Sequence, residues 1–191
     1  GGPMTGRICN GFDTITKTSN AILVMPKDHY IVLKRSQSTK VNVKRAMASC
    51  CQCQMCTDLC PRHLLGHPIT PHMFMRSVSS GTAQDIKPLL DTMFCSACGL
   101  CEMYSCGQGL SPRTLIGEYK GALRKNGVPV PKDAVLKPVA PYRNERRVPM
   151  ERLTARIGLT RYDVPAPMVD EEVKAKAVKI QLTQHIGAPA K

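Results

Sequence analysis

Eight of the ten cysteines in this 191-residue chain fall into two runs. The first is Cys50-x2-Cys53-x2-Cys56-x3-Cys60-Pro61 and the second Cys95-x2-Cys98-x2-Cys101-x4-Cys106. Three thiolates stepping by three residues can wrap one iron–sulfur cubane and ligate three of its irons, so the fourth iron needs a cysteine from elsewhere. The first spacing, with its trailing proline, is that of bacterial two-cluster [4Fe–4S] proteins, in which the fourth cysteine serves the other cluster. Two such runs predict two clusters that exchange ligands, and one-electron transfer at iron as the available chemistry.

The expected sets are Cys50, Cys53 and Cys56 completed by Cys106, and Cys95, Cys98 and Cys101 completed by Cys60. The second run departs from the pattern: four residues precede Cys106, and Gly107 follows it where a proline would stand. That departure leaves the partner of Cys106 open. Cys51 adjoins Cys50 and competes with it as ligand, but the regular two-residue spacing favours Cys50. Cys9, far from both runs, is expected to be an ordinary buried cysteine. His63, His67 and His72 follow Cys60. With eight cysteines for eight iron sites, their expected role is hydrogen bonding around the sulfurs or loop structure. No serine–histidine–acid set, phosphate-binding glycine loop or acid pair stands out, so no catalytic residue is assigned.

Zinc is the main rival, since it takes four thiolates in paired CxxC motifs. It would use only some of these cysteines and gives no reason for three-residue steps across a whole triplet. A secreted disulfide scaffold would spread its cysteines along the chain, whereas these crowd into two runs; a reducing cytoplasm fits better. The formal charge is +13. Two oxidised cubanes with four thiolates each, at about −2 apiece, would lower it to roughly +9. The positive residues are dispersed and aromatics make up only 4% of the chain, so nucleic-acid binding is not expected. A zinc-stabilised nucleic-acid module is nonetheless the alternative from another functional class. No apolar stretch approaches the roughly 20 residues a transmembrane helix requires.

The elements that must position the cysteines are mainly helical. Val41 to Ser49 leads into the first run. Thr70-Pro71 begins a helix with Phe74 and Val78 on one face and Gly81 as its stop. Leu89, Leu90, Met93 and Phe94 recur at helical spacing before the second run, with Pro88 breaking anything continuous from Ala83. Ser111 is expected to cap a helix starting at Pro112, with Leu115, Tyr119, Ala122 and Leu123 as its stripe and Asn126-Gly127 as its end. A short helix from Pro149 should carry Met150, Leu153 and Ile157 on one side, closed by Gly158. Ala21–Met25 and Tyr30–Leu33 look like short strands about a Pro26-Lys27-Asp28 turn, and Val178, Ile180 and Leu182 alternate like a half-buried strand. The domain reading is a segment over 1–35 that ends a preceding domain, a helical dicluster domain over 36–130, a linker with a short helix over 131–174, and the start of another domain at 175–191. The first and last residues suggest an internal piece of a longer polypeptide.

The stretch Cys50-Cys51-Gln52-Cys53-Gln54-Met55-Cys56-Thr57-Asp58-Leu59-Cys60-Pro61-Arg62-His63-Leu64-Leu65-Gly66-His67, with Pro71-His72 after it, resembles the cobalamin reductases of bacterial 1,2-propanediol utilisation. So do the second run with Gly109-Leu110-Ser111-Pro112-Arg113, the opening Gly1-Gly2-Pro3-Met4-Thr5-Gly6, and Gln184-His185-Ile186-Gly187-Ala188. The wider group is the RnfC-like electron-transport subunits. The resemblance implies an α-helical ferredoxin-like domain flanked by the end of a β-grasp domain and the start of a barrel-sandwich domain. It implies a preceding domain that binds FMN and NADH, and electrons passing from NADH to flavin, through two [4Fe–4S] clusters and on to cobalamin. The implied partners are that flavin domain, cobalamin or a cobalamin-binding adenosyltransferase, and microcompartment proteins. The implied location is the cytoplasm, inside or attached to a bacterial microcompartment. The alternative within the group is a soluble RnfC-like subunit of a membrane-bound, ion-translocating oxidoreductase.

Overall fold

A computed structural model describes residues 2–17, 19–131 and 136–162. The chain divides into two compact units, 1–160 and 161–191. In the second unit only Arg161 and Tyr162 are described, so the expected strand at Val178–Leu182 and the barrel-sandwich segment lie outside the described residues.

The first unit is built from eight α-helices with no strand among the described residues. They are α1 (Tyr30–Arg35), α2 (Thr39–Ser49), α3 (Met55–Asp58), α4 (Pro61–Leu64), α5 (Pro71–Ser80), α6 (Lys87–Leu90), α7 (Pro112–Lys125) and α8 (Met150–Arg156). A 3-10 turn spans Asp91–Phe94 and a π-turn spans Cys101–Ser105. α2, α5 and α7 pack on one another and frame both cysteine runs. The helix starts follow proline: Pro61, Pro71 and Pro112 each open a helix where the missing N–H costs nothing. Gly81, at φ +69°, ends α5 in the left-handed conformation that favours glycine.

Two apolar cores hold the unit together. One joins Ala46, Phe74, Met75, Leu110, Leu115 and Ile116, with Cys50, Cys95 and Cys106 against its edge. The other joins Ile31, Met103, Leu153 and Ile157. Met75 and Met103 are each 1% exposed, so methionine does fill the interior that tryptophan and phenylalanine leave short. On α7 the buried face is Leu115 and Ile116, while Ala122 is exposed; on α8 Met150 is exposed and Leu153 and Ile157 carry the contact.

The N-terminal β reading is corrected. Tyr30–Leu33 lies in α1, and Ala21–Met25 is irregular, with Val24 93% exposed. A four-residue apolar run cannot distinguish strand from helix by periodicity. Here the helix places Ile31, Lys34 and Arg35 on one face by the three- and four-residue helical step. Ile31 enters the second core, and Lys34 and Arg35 reach the second cysteine run. After α7 the described chain runs back past the end of α4. The N–H of Lys137 donates to Gly66 O (2.8 Å) and that of Ala140 to Leu64 O (3.0 Å).

Candidate iron–sulfur centres

The two runs fold alike. In the first, Gln52 and Gln54 take positive φ (56° and 64°); in the second, Ala97 (55°) and Gly99 (83°) do so. In each run these are the second and fourth residues after the leading cysteine. Gln52, Gln54 and Ala97 are also the only non-glycine residues at positive φ among the described residues. Left-handed backbone at such residues costs on the order of 1–3 kcal/mol each and clusters at binding sites. Both runs therefore share one backbone coil.

Gly99 is the one position where the sequence meets that demand. A Cβ there would lie 2.8 Å from Met4 O and 3.3 Å from Met4 Cβ, so strain and steric overlap would add. Gly99→Ala is expected to cost about 1–3 kcal/mol, read as a lower thermal midpoint of the cluster-loaded protein. Gly107→Ala, with nothing within 4 Å of its added Cβ, is the control expected to leave that midpoint unchanged.

The irregular spacing before Cys106 has a structural answer. The π-turn Cys101–Ser105, in which Ser105 Oγ reaches back to Leu100 O (3.1 Å), takes up one residue more than an α-turn would. Cys106 leaves it at φ −76°, ψ 105°. Cys60 leaves the first run at φ −74°, ψ 116°. The extra residue is absorbed, and the two fourth cysteines emerge with the same extended backbone. α3 packs against the π-turn, which carries each run's end to the other run's triplet.

The eight thiols accordingly sort into two groups. Cys50, Cys53, Cys56 and Cys106 line one pocket, together with Cys51, His72, Met75 and Leu110. Burial first, then Cys106, Cys53 and Cys50, push the Cys56 thiol up to about 12. Burial and the neighbouring Cys95, Cys98 and Cys60 push the Cys101 thiol well up. Burial likewise raises Cys60, which Cys98 and Cys95 push further and which the backbone N–H groups of His63 and Arg62 oppose. Thiols held protonated in this way release protons when a metal takes them as thiolates.

Among the described residues, no three His, Cys, Asp or Glu side chains converge on a point for a single metal ion. A tetrahedral zinc with bonds of about 2.3 Å would need its sulfurs about 3.8 Å apart. A cubane puts each thiolate on its own iron, so its four sulfurs stand farther apart than that. Hydrogen-bond donors already face the sulfurs: Gln52 Nε2 to Cys50 Sγ (3.2 Å), Ala97 N to Cys95 Sγ (3.3 Å) and Leu110 N to Cys106 Sγ (3.3 Å). Donors of this kind stabilise thiolate, and hydrogen bonds to sulfur are among the influences that set a cluster's potential. The residues fit the clusters.

Other expected roles are now placed. Cys51 is exposed at the pocket rim, and Cys9, expected to be buried, is exposed on the N-terminal loop. His72 meets Thr57 at 2.8 Å beside the first group. His63 Nδ1 donates to Ile69 O (2.9 Å), and His67 Nε2 accepts from Arg62 (3.0 Å). Ser111 does not cap α7, and its buried hydroxyl has no partner. Glu102, the residue after Cys101, takes that place. It is 2% exposed, its Oε2 accepts the Thr114 N–H (2.8 Å), and its Oε1 pairs with Arg35 (3.3 Å). Glu102, Lys34 and the sulfur-facing Gln52 had no signature in the sequence, because their partners are set by the fold.

Residues 49–111 match the 4Fe-4S dicluster domain family. Over all 191 residues the chain is 39% identical to the cobalamin reductase PduS of Salmonella typhimurium, covering 42% of that protein. It is 35% identical over 196 aligned positions to the cobalamin reductase PduS of Citrobacter freundii, again covering 42% of it. The chain thus spans about two fifths of the length of the curated relatives it matches. No solved structure matches. These matches favour the cobalamin-reductase resemblance over the RnfC-like one. The chain carries a 4Fe–4S dicluster domain and is similar along its whole length to cobalamin reductases.

Proposed function

We propose that this chain is the iron–sulfur electron-transfer portion of a cobalamin reductase. Cys50, Cys53, Cys56 and Cys106 hold one [4Fe–4S] cluster, and Cys95, Cys98, Cys101 and Cys60 hold the other. The observation that carries this reading is the sorting of eight thiols into two groups, each a triplet with the other run's last cysteine. When bound, such clusters take up and pass on single electrons at iron. The chain's own part is to hold and tune them. Gln52, Ala97 and Leu110 donate to sulfur, and Met75, Leu110 and Pro112 close the first pocket against water with apolar surface.

In the whole protein the electrons come from NADH through FMN bound by another part of the polypeptide, and cobalamin, free or on an adenosyltransferase, receives them. The setting is propanediol utilisation in the cytoplasm, inside or attached to a microcompartment. No helix among the described residues is long and apolar enough to cross a membrane. The test uses the full-length protein, reconstituted without oxygen. Iron and acid-labile sulfide near eight each per chain, and NADH-dependent reduction of cob(III)alamin, are expected. Full iron with no cobalamin reduction overturns the acceptor and leaves the clusters. Zinc in place of iron overturns both.

A further inference from the structure

Lys34 is a cation inside the protein. It is 5% exposed, and its Nζ donates to Gly109 O (2.8 Å) and Leu110 O (2.9 Å). The N–H of the same Leu110 donates to Cys106 Sγ (3.3 Å). The ammonium and the sulfur of the proposed fourth ligand are therefore bridged by one residue. Burial draws the Lys34 pKa down, while Glu102 and Cys106 act to keep the ammonium charged. Arg156, donating to Cys106 O (3.1 Å), adds positive charge on the same side.

Among the described residues Lys34 forms no salt bridge, although Glu102 acts on it at longer range, and no cation buried in that way faces the second group. Its nearest buried charges are Glu102 and Arg35, which pair with each other, and Lys120 reaches Cys95 O (2.8 Å) from a part-exposed position where water screens it. Taking up an electron makes a cluster more negative, so a fixed positive charge in a low-dielectric interior favours its reduced form.

Resting on the two-cluster reading above, we propose that Lys34 raises the potential of the cluster held by Cys50, Cys53, Cys56 and Cys106. That cluster becomes the electron-accepting end of the pair. An electron shared by the pair would then favour the first cluster, whose gain of one electron would equal the second's loss of one. No proton or bond changes place. α1 is then a tuning element as well as a packing one.

The experiment is a dithionite titration of the full-length, cluster-loaded protein followed by EPR. The Cys53→Ala variant, which strips a ligand of the first triplet, identifies by its loss which signal belongs to the first cluster. In the wild type that signal appears first; appearance of the other signal first overturns the proposal. Lys34→Met, which keeps the length and removes the charge, is expected to disfavour reduction of the first cluster at least tenfold. For a one-electron couple that is a shift of about 59 mV to lower potential. Lys34→Arg is expected to retain the wild-type value, and the second cluster is expected to hold its potential in both variants. If Lys34→Met does not load iron, Lys34→Gln keeps a donor for the two carbonyls without the charge and is read in its place. Full iron content with an unmoved potential in the uncharged variant overturns the role of Lys34 alone. A wild type without iron instead overturns the two-cluster reading.

Discussion

Replacing Cys60 by alanine is expected to remove the cluster held by Cys95, Cys98 and Cys101 while leaving the one beside it in sequence. The loss should be about four of roughly eight irons and sulfides per chain, and the remaining EPR signal should be a single uncoupled species. Cys101 is buried and has Cys60, Cys95 and Cys98 as its thiol neighbours, so deletion of Cys60 strips an iron of the second set. Cys60 is an intervening residue for the first set only in the sense of chain order. Cys106→Ala is the reciprocal, expected to remove the first cluster because Cys106 lines the pocket of Cys50, Cys53 and Cys56. If Cys60→Ala removes the first cluster and keeps the second, the ligand exchange is wrong, although both clusters stand.

The two variants also mark what sequence can and cannot say here. The candidate ligand runs stood out in the sequence because cubane chemistry asks for a three-residue step that no helix or strand requires. The helices α5 and α7 were legible because Pro71, Pro112, Gly81 and Asn126-Gly127 punctuate them at positions where backbone donors and φ demand those residues. The inserted residue before Cys106 looked like a defect, because spacing rules assume α-turns; a π-turn with the same exit geometry removes the anomaly. Left-handed backbone at Gln52, Gln54 and Ala97 was illegible, since neither residue type asks for it and tertiary packing imposes it.

The same limit hid α1. Ile31-Val32-Leu33 has the composition of a strand, and Lys34-Arg35 looks like its solvated end. What decides the matter is 67 to 76 positions away: the Gly109 and Leu110 carbonyls for Lys34, with Glu102 for Arg35. A buried cation is costly unless its partner is supplied, and nothing local in the sequence displays the partner.

Glu102→Ala is expected to be the most destabilising single substitution outside the cysteines, at about 3–5 kcal/mol. That is a large part of the 5–15 kcal/mol on which a domain of this kind typically stands. The carboxylate side chain is 1% exposed and that of Arg35 8%. Its loss leaves the guanidinium in the interior with only Met4 O and Thr114 Oγ1 (3.4 Å) as acceptors. It also frees the Thr114 N–H in the first turn of α7, where Ser111 offers no cap, and withdraws a negative charge from the helix N-terminus. Arg35→Met should cost less, because Glu102 keeps the Thr114 N–H and hydroxyl (3.1 Å) as donors. The double variant Arg35→Met with Glu102→Ala removes both charges at once, so it should cost less than the two single changes added together. Thermal midpoints and the rate of bleaching in denaturant, measured on the cluster-loaded protein, supply the comparison. Additive single and double variants would show that the pair is not coupled and that Glu102 acts through α7 alone.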